Sequence, residues 1–123
     1  MLGSAKLTAV AATTDAARAK AFYGKTLGLR LVHEDQFALV FDANGTTLRI
    51  QLVRMLTPHP FTSLGWEVTD IETTVSALID RSVAFEMFEG MGQDARGIWN
   101  SPSGARVAWF KDPDGNLLSV TQI

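Results

Sequence analysis

The sequence contains no cysteine and only two histidines, His33 and His59, among its 123 residues. A chain without cysteine forms no disulfide of its own and offers no thiolate as a metal ligand or nucleophile. Two histidines leave little material for a histidine-rich metal centre. His33 stands in a predicted turn beside two acidic residues, and His59 stands between two prolines. We interpret both as solvent-exposed residues rather than as metal ligands.

The sequence also lacks a strong charge of either sign and any long apolar run. The formal net charge is -2, from 11 basic and 13 acidic residues, which gives no electrostatic case for a nucleic acid or membrane partner. The longest apolar run is the five residues 37–41, whereas a membrane-spanning helix needs about 20. No basic segment precedes a long apolar core at the N-terminus, so we expect no signal peptide. We therefore expect a cytoplasmic protein.

What the sequence does contain is enough apolar material, 46% of its residues, for one compact domain with a packed core. The first half predicts a strand at 6–12, a helix within 13–28 and strands at 29–34, 37–42 and 46–54. Asn44-Gly45 is a strong signal for a β-hairpin between the last two strands. The order of this first module, residues 1–54, is therefore β-α-β-β-β.

The second half repeats this order after a linker at 55–61, which contains two prolines. Residues 62–123 predict a helix at 69–81, whose apolar residues recur at helical spacing. Around it we predict strands at 63–68, 83–90, 96–101, 105–112 and 116–123.

Two local signals align the halves. Asp15 and Asp70 stand at the two predicted helix starts, and Gly45 and Gly115 stand in the two turns before the last strands. We predict an α+β fold in which two βαβββ modules form an incomplete mixed-sheet barrel around a cavity. The alternative is an ordinary α+β domain whose similar turns are coincidental.

Three segments resemble the vicinal oxygen chelate superfamily, which includes glyoxalase I, bleomycin-resistance proteins and extradiol dioxygenases. They are "AFYGKTLGLRLV", "GWEVTDIETTVSALIDRSVAF" and "VAWFKDPDGNLLSVTQ". The resemblance covers nearly the whole chain and implies paired βαβββ modules, a ligand cavity and a homodimer, paired or with exchanged modules. Its enzymes usually bind a divalent metal through one residue of the first strand and one of the last strand of each module.

The repeat allows those four positions to be assigned. Seven residues before the helix-entry aspartates stand Thr8 and Ser63, and four residues after the turn glycines stand Arg49 and Ser119. Neutral hydroxyls are poor ligands for the metals that imidazole and carboxylate hold, and the Arg49 guanidinium remains positively charged. We therefore expect no metal and no other cofactor.

Strand alternation gives the residues that share the cavity-facing side with these positions. We predict ligand contacts at Thr8, Arg49, Gln51, Ser63, Glu67, Trp99, Trp109 and Ser119. Arg49 suits an anionic group, and Trp99 and Trp109 suit a planar ligand. The alternatives are an internal ion pair of Arg49 with Glu67 and hydrophobic packing of the two tryptophans. Trp66 has the opposite phase and is expected in the core.

No pattern in the sequence indicates a catalytic nucleophile with an adjacent base or a phosphate-binding loop, and we assign no catalytic residue. The function predicted best is metal-independent binding and sequestration of a small organic molecule, planar or anionic, as in bleomycin-resistance proteins. One alternative is a lyase-like or dioxygenase-like enzyme that uses atypical ligands or acid–base residues. Another is a dimeric scaffold with a vestigial cavity.

Overall fold

The computed structural model describes all residues, Met1–Ile123. They form two compact units, Met1–Thr57 and Pro58–Ile123. Each unit contains one four-stranded mixed sheet and one main helix, which confirms an α+β fold of two repeated modules. The elements are β1 (Thr8–Thr13), α1 (Ala16–Ala21), β2 (Arg30–Glu34), β3 (Ala38–Ala43), β4 (Thr46–Leu52), β5 (Leu64–Glu67), α2 (Ile71–Asp80), β6 (Trp99–Asn100), β7 (Arg106–Lys111) and β8 (Leu117–Gln122).

The two sheets have the same topology. The strand order is β1-β4-β3-β2 in the first unit and β5-β8-β7-β6 in the second. In each, the first strand pairs in parallel with the last, and the remaining pairs are antiparallel. A parallel pair requires a crossover connection, and in both units the helix is part of it.

Both helices start with the same capping geometry, as the aligned aspartates predict. The side chains of Asp15 and Asp70 accept hydrogen bonds from the backbone N–H groups of Arg18 and Thr73, each at 3.1 Å. Their φ angles are -143° and -140°, so both have the extended backbone typical of an N-cap. The repeated sequence signal therefore corresponds to a repeated local structure.

The core of each unit lies between its helix and one face of its sheet. In the first unit, alternate residues of β3 and β4 are buried there with Tyr23, whose ring centroid lies 6.0 Å from that of Phe41. In the second, Phe110, Leu118 and Val120 are buried on the corresponding face. Burial of these apolar side chains supplies the main stabilisation of each unit. Neither helix is long and apolar enough to cross a bilayer.

The predicted strand at 83–90 is wrong. Only Phe85 forms a bridge there, with Phe110, and the chain then continues as a loop. Gly90 and Gly92 have positive φ angles of 82° and 73°, which an extended strand does not permit. The next strand is also shorter than predicted, because β6 contains only Trp99 and Asn100.

The helix of the first unit and the strand that follows it differ in detail from the prediction. The regular part of α1 ends at Ala21, and a wide helical turn continues to Thr26 before Gly28 takes a φ angle of 79°. Strand β2 ends with His33 and Glu34, which agrees with the predicted strand at 29–34 and places His33 at the strand end rather than in the predicted turn. The pairing of β2 with β3 skips Val32, which is a β-bulge.

Candidate functional site

Each sheet has a face that points away from its helix, here called the helix-free face. Paired residues of adjacent strands share a face, so the registers assign the side chains directly. Arg49 pairs with Val10 in the first sheet, and Ser119 pairs with Gly65 in the second. Their chain neighbours Leu48 and Leu118 are buried on the helix side. The predicted contact positions on β1, β4, β5 and β8 therefore lie on the helix-free faces.

The helix-free face of the first sheet is polar. Arg49 is half-buried and forms no hydrogen bond or ion pair within its unit. Gln51 follows two residues later on the same face of β4 and is exposed. Thr8 is exposed at the start of β1, where it pairs with Thr47. The three predicted contact residues of this unit thus share one surface, on which Arg49 is the charged residue among them.

The helix-free face of the second sheet is more enclosed around Ser119, which is 7% exposed. A Cβ atom at Gly65 would lie 2.9 Å from the Ser119 hydroxyl oxygen, so the absence of a side chain there makes room for Ser119. Ser63 continues the ladder, because its N–H donates to the carbonyl of Leu117 at 2.8 Å. Glu67 is exposed and forms no ion pair within this unit.

The registers confirm that the four residues assigned to metal positions are equivalent between the modules. Thr8 and Ser63 each precede by two residues the partner of Arg49 or Ser119. Three hydroxyls and a guanidinium are a poor donor set for a divalent metal, whatever the geometry around them. No group of three or more histidine and acidic side chains in the structure is arranged to hold a metal ion. The residues present do not fit the metal that the fold implies.

Three aromatic side chains form a cluster on the helix-free face of the second sheet. The ring centroids of Trp99 and Trp109 lie 5.9 Å apart at an interplanar angle of 39°. Phe88 meets Trp109 edge to face at 5.5 Å and 83°. The two tryptophans are half-buried, and Phe88 is 36% exposed. Trp66 pairs with Val120 on the helix side and is not part of this cluster.

Phe88 is a residue that the sequence analysis missed, because residues 83–90 read as a strand. Its position depends on Gln93, whose side chain bonds the loop backbone. The Gln93 amide oxygen accepts from the N–H of Phe88 at 2.7 Å, and its NH₂ donates to the carbonyls of Glu86 and Gly97. These contacts replace the ladder bonds that a strand would have made.

The same loop also contacts helix α2 through Arg96. The Arg96 guanidinium donates to the carboxylate of Glu72 at 2.7 Å and to the hydroxyl of Ser76 at 2.5 Å. Glu72 also contacts Arg106 at 3.4 Å. Gln93 and Arg96 therefore hold the loop at two places, and the loop holds Phe88 against Trp109. The sequence "GMGQDARG" contains no pattern that predicts these contacts of Gln93 and Arg96.

One family of known proteins matches most of the sequence. A family model for the Glyoxalase/Bleomycin resistance protein/Dioxygenase superfamily matches residues 7–120. No curated protein matches the sequence.

Solved structures show where the same fold occurs. A superfamily member from Sphaerobacter thermophilus has 23% identity and a TM-score of 0.78, with 100% of both chains covered. A lactoylglutathione lyase from Agrobacterium tumefaciens has 17% identity and a TM-score of 0.75, covering 97% of this chain and 93% of that chain. A fosfomycin resistance protein from Listeria monocytogenes has 12% identity and a TM-score of 0.78, covering 98% and 93%. At these identities the likeness shows the fold alone.

Proposed function

The chain belongs to the glyoxalase/bleomycin resistance protein/dioxygenase superfamily, and on this premise we propose that it binds a small organic molecule without a metal ion. The function is sequestration, in which the ligand is enclosed and no bond is broken. The observation that carries the proposal is the aromatic cluster of Phe88, Trp99 and Trp109, which leaves ring surface available for a planar ligand.

The composition of the cluster supports a ligand site rather than core packing alone. The core aromatics Tyr23, Phe41 and Phe110 are at most 1% exposed and lie on the helix sides of the sheets. The cluster lies on the opposite side and remains partly exposed. A loop fixed by the hydrogen bonds of the Gln93 side chain places Phe88 there, and such preorganisation lowers the entropic cost of binding.

Metal independence is the second part of the proposal. The enzyme names among the structural neighbours, such as lactoylglutathione lyase, describe those proteins. In this chain the donors at the corresponding positions are Thr8, Arg49, Ser63 and Ser119, which favour neutral or anionic organic groups over a cation. One neighbour is named for fosfomycin resistance, and protection against a small toxic molecule is a setting that suits a binder. We further propose that the protein acts as a homodimer in the cytoplasm.

Tryptophan fluorescence titration with acridine at pH 8, where acridine is uncharged, tests the aromatic site. We expect quenching in the wild-type protein and at least about tenfold weaker binding for Trp99→Leu and Trp109→Leu, because stacking contributes about 1–3 kcal/mol per aromatic pair. Trp66→Leu is the matched control, since it removes a tryptophan from the helix side of the same sheet.

Loss of binding in Trp66→Leu equal to that in Trp99→Leu would contradict the proposal, as would the absence of quenching by acridine and other planar compounds. Metal analysis of the purified protein gives an independent check. About one equivalent of tightly bound nickel, iron or zinc per chain, retained in wild type and lost in a Ser63→Ala and Ser119→Ala double variant, would contradict metal independence.

A further inference from the structure

The β-bulge in strand β2 changes which side chains reach the helix-free face of the first sheet. Leu31 pairs with Phe41 and His33 pairs with Val40, so Val32 has no place in the register. Without the bulge, strict alternation from Leu31 would put His33 on the helix side and Glu34 on the helix-free face. The extra residue exchanges these two positions. Bulges that redirect a side chain are enriched next to functional sites.

The exchange places Glu34 where it can bond to Lys20, and it places His33 on the helix-free face. Glu34 accepts a hydrogen bond from Lys20 of helix α1 at 2.9 Å, as a residue on the helix side would. His33 lies in one row across the sheet with Val40 and Arg49, because Val40 pairs with both. Two strand spacings of about 4.8 Å separate His33 from Arg49, roughly 10 Å between their backbones. Both side chains are long enough to approach a ligand lying over Val40.

A carboxylate holds the imidazole of His33 in place. Its Nε2 lies 3.2 Å from an oxygen of Asp35, and the other oxygen of Asp35 accepts from the backbone N–H groups of Phe37 and Ala38 at 2.8 and 3.0 Å. These hydrogen bonds, with the bond to His33, lower the pKa of Asp35. Asp35 is therefore an ionised, fixed partner that orients the ring.

The remaining charges around His33 are already matched. In the next row of the same face, Arg30 pairs with Asp42 at 3.6 Å. Glu34 and Lys20 are paired on the helix side. Arg49 is the one cation of this face without a partner in its unit.

From this arrangement we infer that His33 is a second contact for an anionic ligand, a small carboxylic acid, whose carboxylate is held by Arg49. The apolar part of the acid lies over Val40 and Val10, which share the row with Arg49. A protonated His33 strengthens the binding, and Asp35 keeps the ring oriented toward the ligand. The inference rests on the proposed function, since it takes Arg49 as a ligand contact, but it uses the first sheet and not the aromatic cluster.

The chain has only one other histidine, so proton NMR of the imidazole rings is a direct test. His59 is exposed and stacks on Phe61 in the second unit, and it serves as the internal reference. In titrations from pH 5 to 8.5, the addition of benzoate should raise the midpoint of His33 and leave that of His59 unchanged. The direction follows because an anion that prefers the charged imidazole stabilises its protonated form.

Variants separate the roles of the two residues. We expect benzoate affinity in the wild type to fall about fivefold between pH 5.5 and pH 8. By linkage, this fall corresponds to a benzoate-induced shift of under about one unit in the midpoint of His33. His33→Gln should retain weak binding without that pH dependence, and Arg49→Gln should weaken binding at least about tenfold at both pH values, the loss of a charge-assisted contact.

Equal or absent shifts of the two histidines on addition of benzoate would overturn the inference, as would unchanged pH dependence in His33→Gln. Acridine binding that still depends on Trp99 would then show that the proposed function stands without it. Failure of both acridine and benzoate to bind would contradict the proposed function as well.

Discussion

The first sheet carries Arg49 beside Val10 at the place where the second sheet carries Ser119 beside Gly65. The strands around these pairs have the same order and direction, and the helices that follow Thr13 and Val68 begin with the same cap. The backbones of the two units thus repeat each other, while the side chains on their helix-free faces do not. One face carries a guanidinium and an imidazole, and the other carries two tryptophans and a phenylalanine.

The repeated backbone and the side chains of the helix-free faces therefore vary separately between the two units. Frame residues are buried on the helix sides, where a change of volume alters packing directly. On the helix-free faces, Arg49 is half-buried beside Val10, whereas Ser119 is buried beside Gly65. The two equivalent positions therefore differ in size and charge together with their strand neighbours. The same separation explains how a family with this fold includes proteins named for different activities.

Substitution of the two equivalent core phenylalanines should have the largest effect on the stability of the two units. Phe41 and Phe110 are 0% and 1% exposed, and they pair with the equivalent residues Leu48 and Leu118. Phe41→Ala and Phe110→Ala should each lower the free energy of unfolding by about 3–5 kcal/mol, measured by urea denaturation. Trp99→Leu on the helix-free face is the control and should cost far less. A small loss at either phenylalanine would show that the two cores are not equivalent.

The frame could be predicted from the sequence because its signals are local and occur twice. Asp15 and Asp70 indicate the helix starts because aspartate is a favourable N-cap residue. Gly45 and Gly115 indicate the turns because glycine readily adopts the positive φ angles that both have in the structure. Strand alternation then assigns Arg49 and Ser119 to one kind of face. Each of these inferences depends on residues close together in the chain, so tertiary packing had little opportunity to change the outcome.

The parts of the site that could not be predicted depend on contacts that the residue pattern of a segment does not show. Phe88 lies in a segment with a strand-like pattern, but after the bridge at Phe85 the chain forms a loop whose backbone bonds to the side chain of Gln93. The bulge at Val32 is a single inserted residue that leaves no mark in the composition of its strand. A one-residue change of register moves His33 to the other face, so strand prediction alone assigns it wrongly.

The next effect in size comes from giving the second sheet a side chain at Gly65. A Cβ atom there would lie 2.9 Å from the Ser119 hydroxyl oxygen, closer than real contacts of this kind. Gly65→Ala should therefore cost about 1–2 kcal/mol of unfolding free energy, within the range for overpacking. Val10→Ala at the equivalent place of the first sheet should cost less, because Val10 is 55% exposed.

A double-mutant cycle sharpens this prediction. Ser119→Gly removes the crowding hydroxyl, so Gly65→Ala should be nearly neutral in a Ser119→Gly background, and the coupling free energy should approach the whole cost of the single change. Additive effects of the two substitutions would show that the contact between Gly65 and Ser119 does not limit this position.

The smallest expected effect distinguishes the two helix caps and depends on pH. Asp70 accepts hydrogen bonds from both the backbone N–H and the hydroxyl of Thr73, whereas Asp15 accepts the backbone bond and contacts Arg18. The bonds from Thr73 lower the pKa of Asp70 below its usual value of 3.8. An ionised Asp70 therefore stabilises the folded state fully above that value, and this contribution disappears as the pH falls through the lowered pKa of the folded state.

Asp70→Ala should lower the thermal midpoint at pH 7 more than Asp15→Ala does, because α2 has ten residues to lose and α1 has six. The difference in midpoint between Asp70→Ala and the wild type should decrease steadily in scanning calorimetry as the pH is lowered from 5 to 2. Thr73→Val removes only the hydroxyl bond and should show a smaller decrease of the same sign. A midpoint difference that stays constant down to pH 2 would mean that the cap acts without its charge, and the two helix starts would then be alike in energy as well as in geometry.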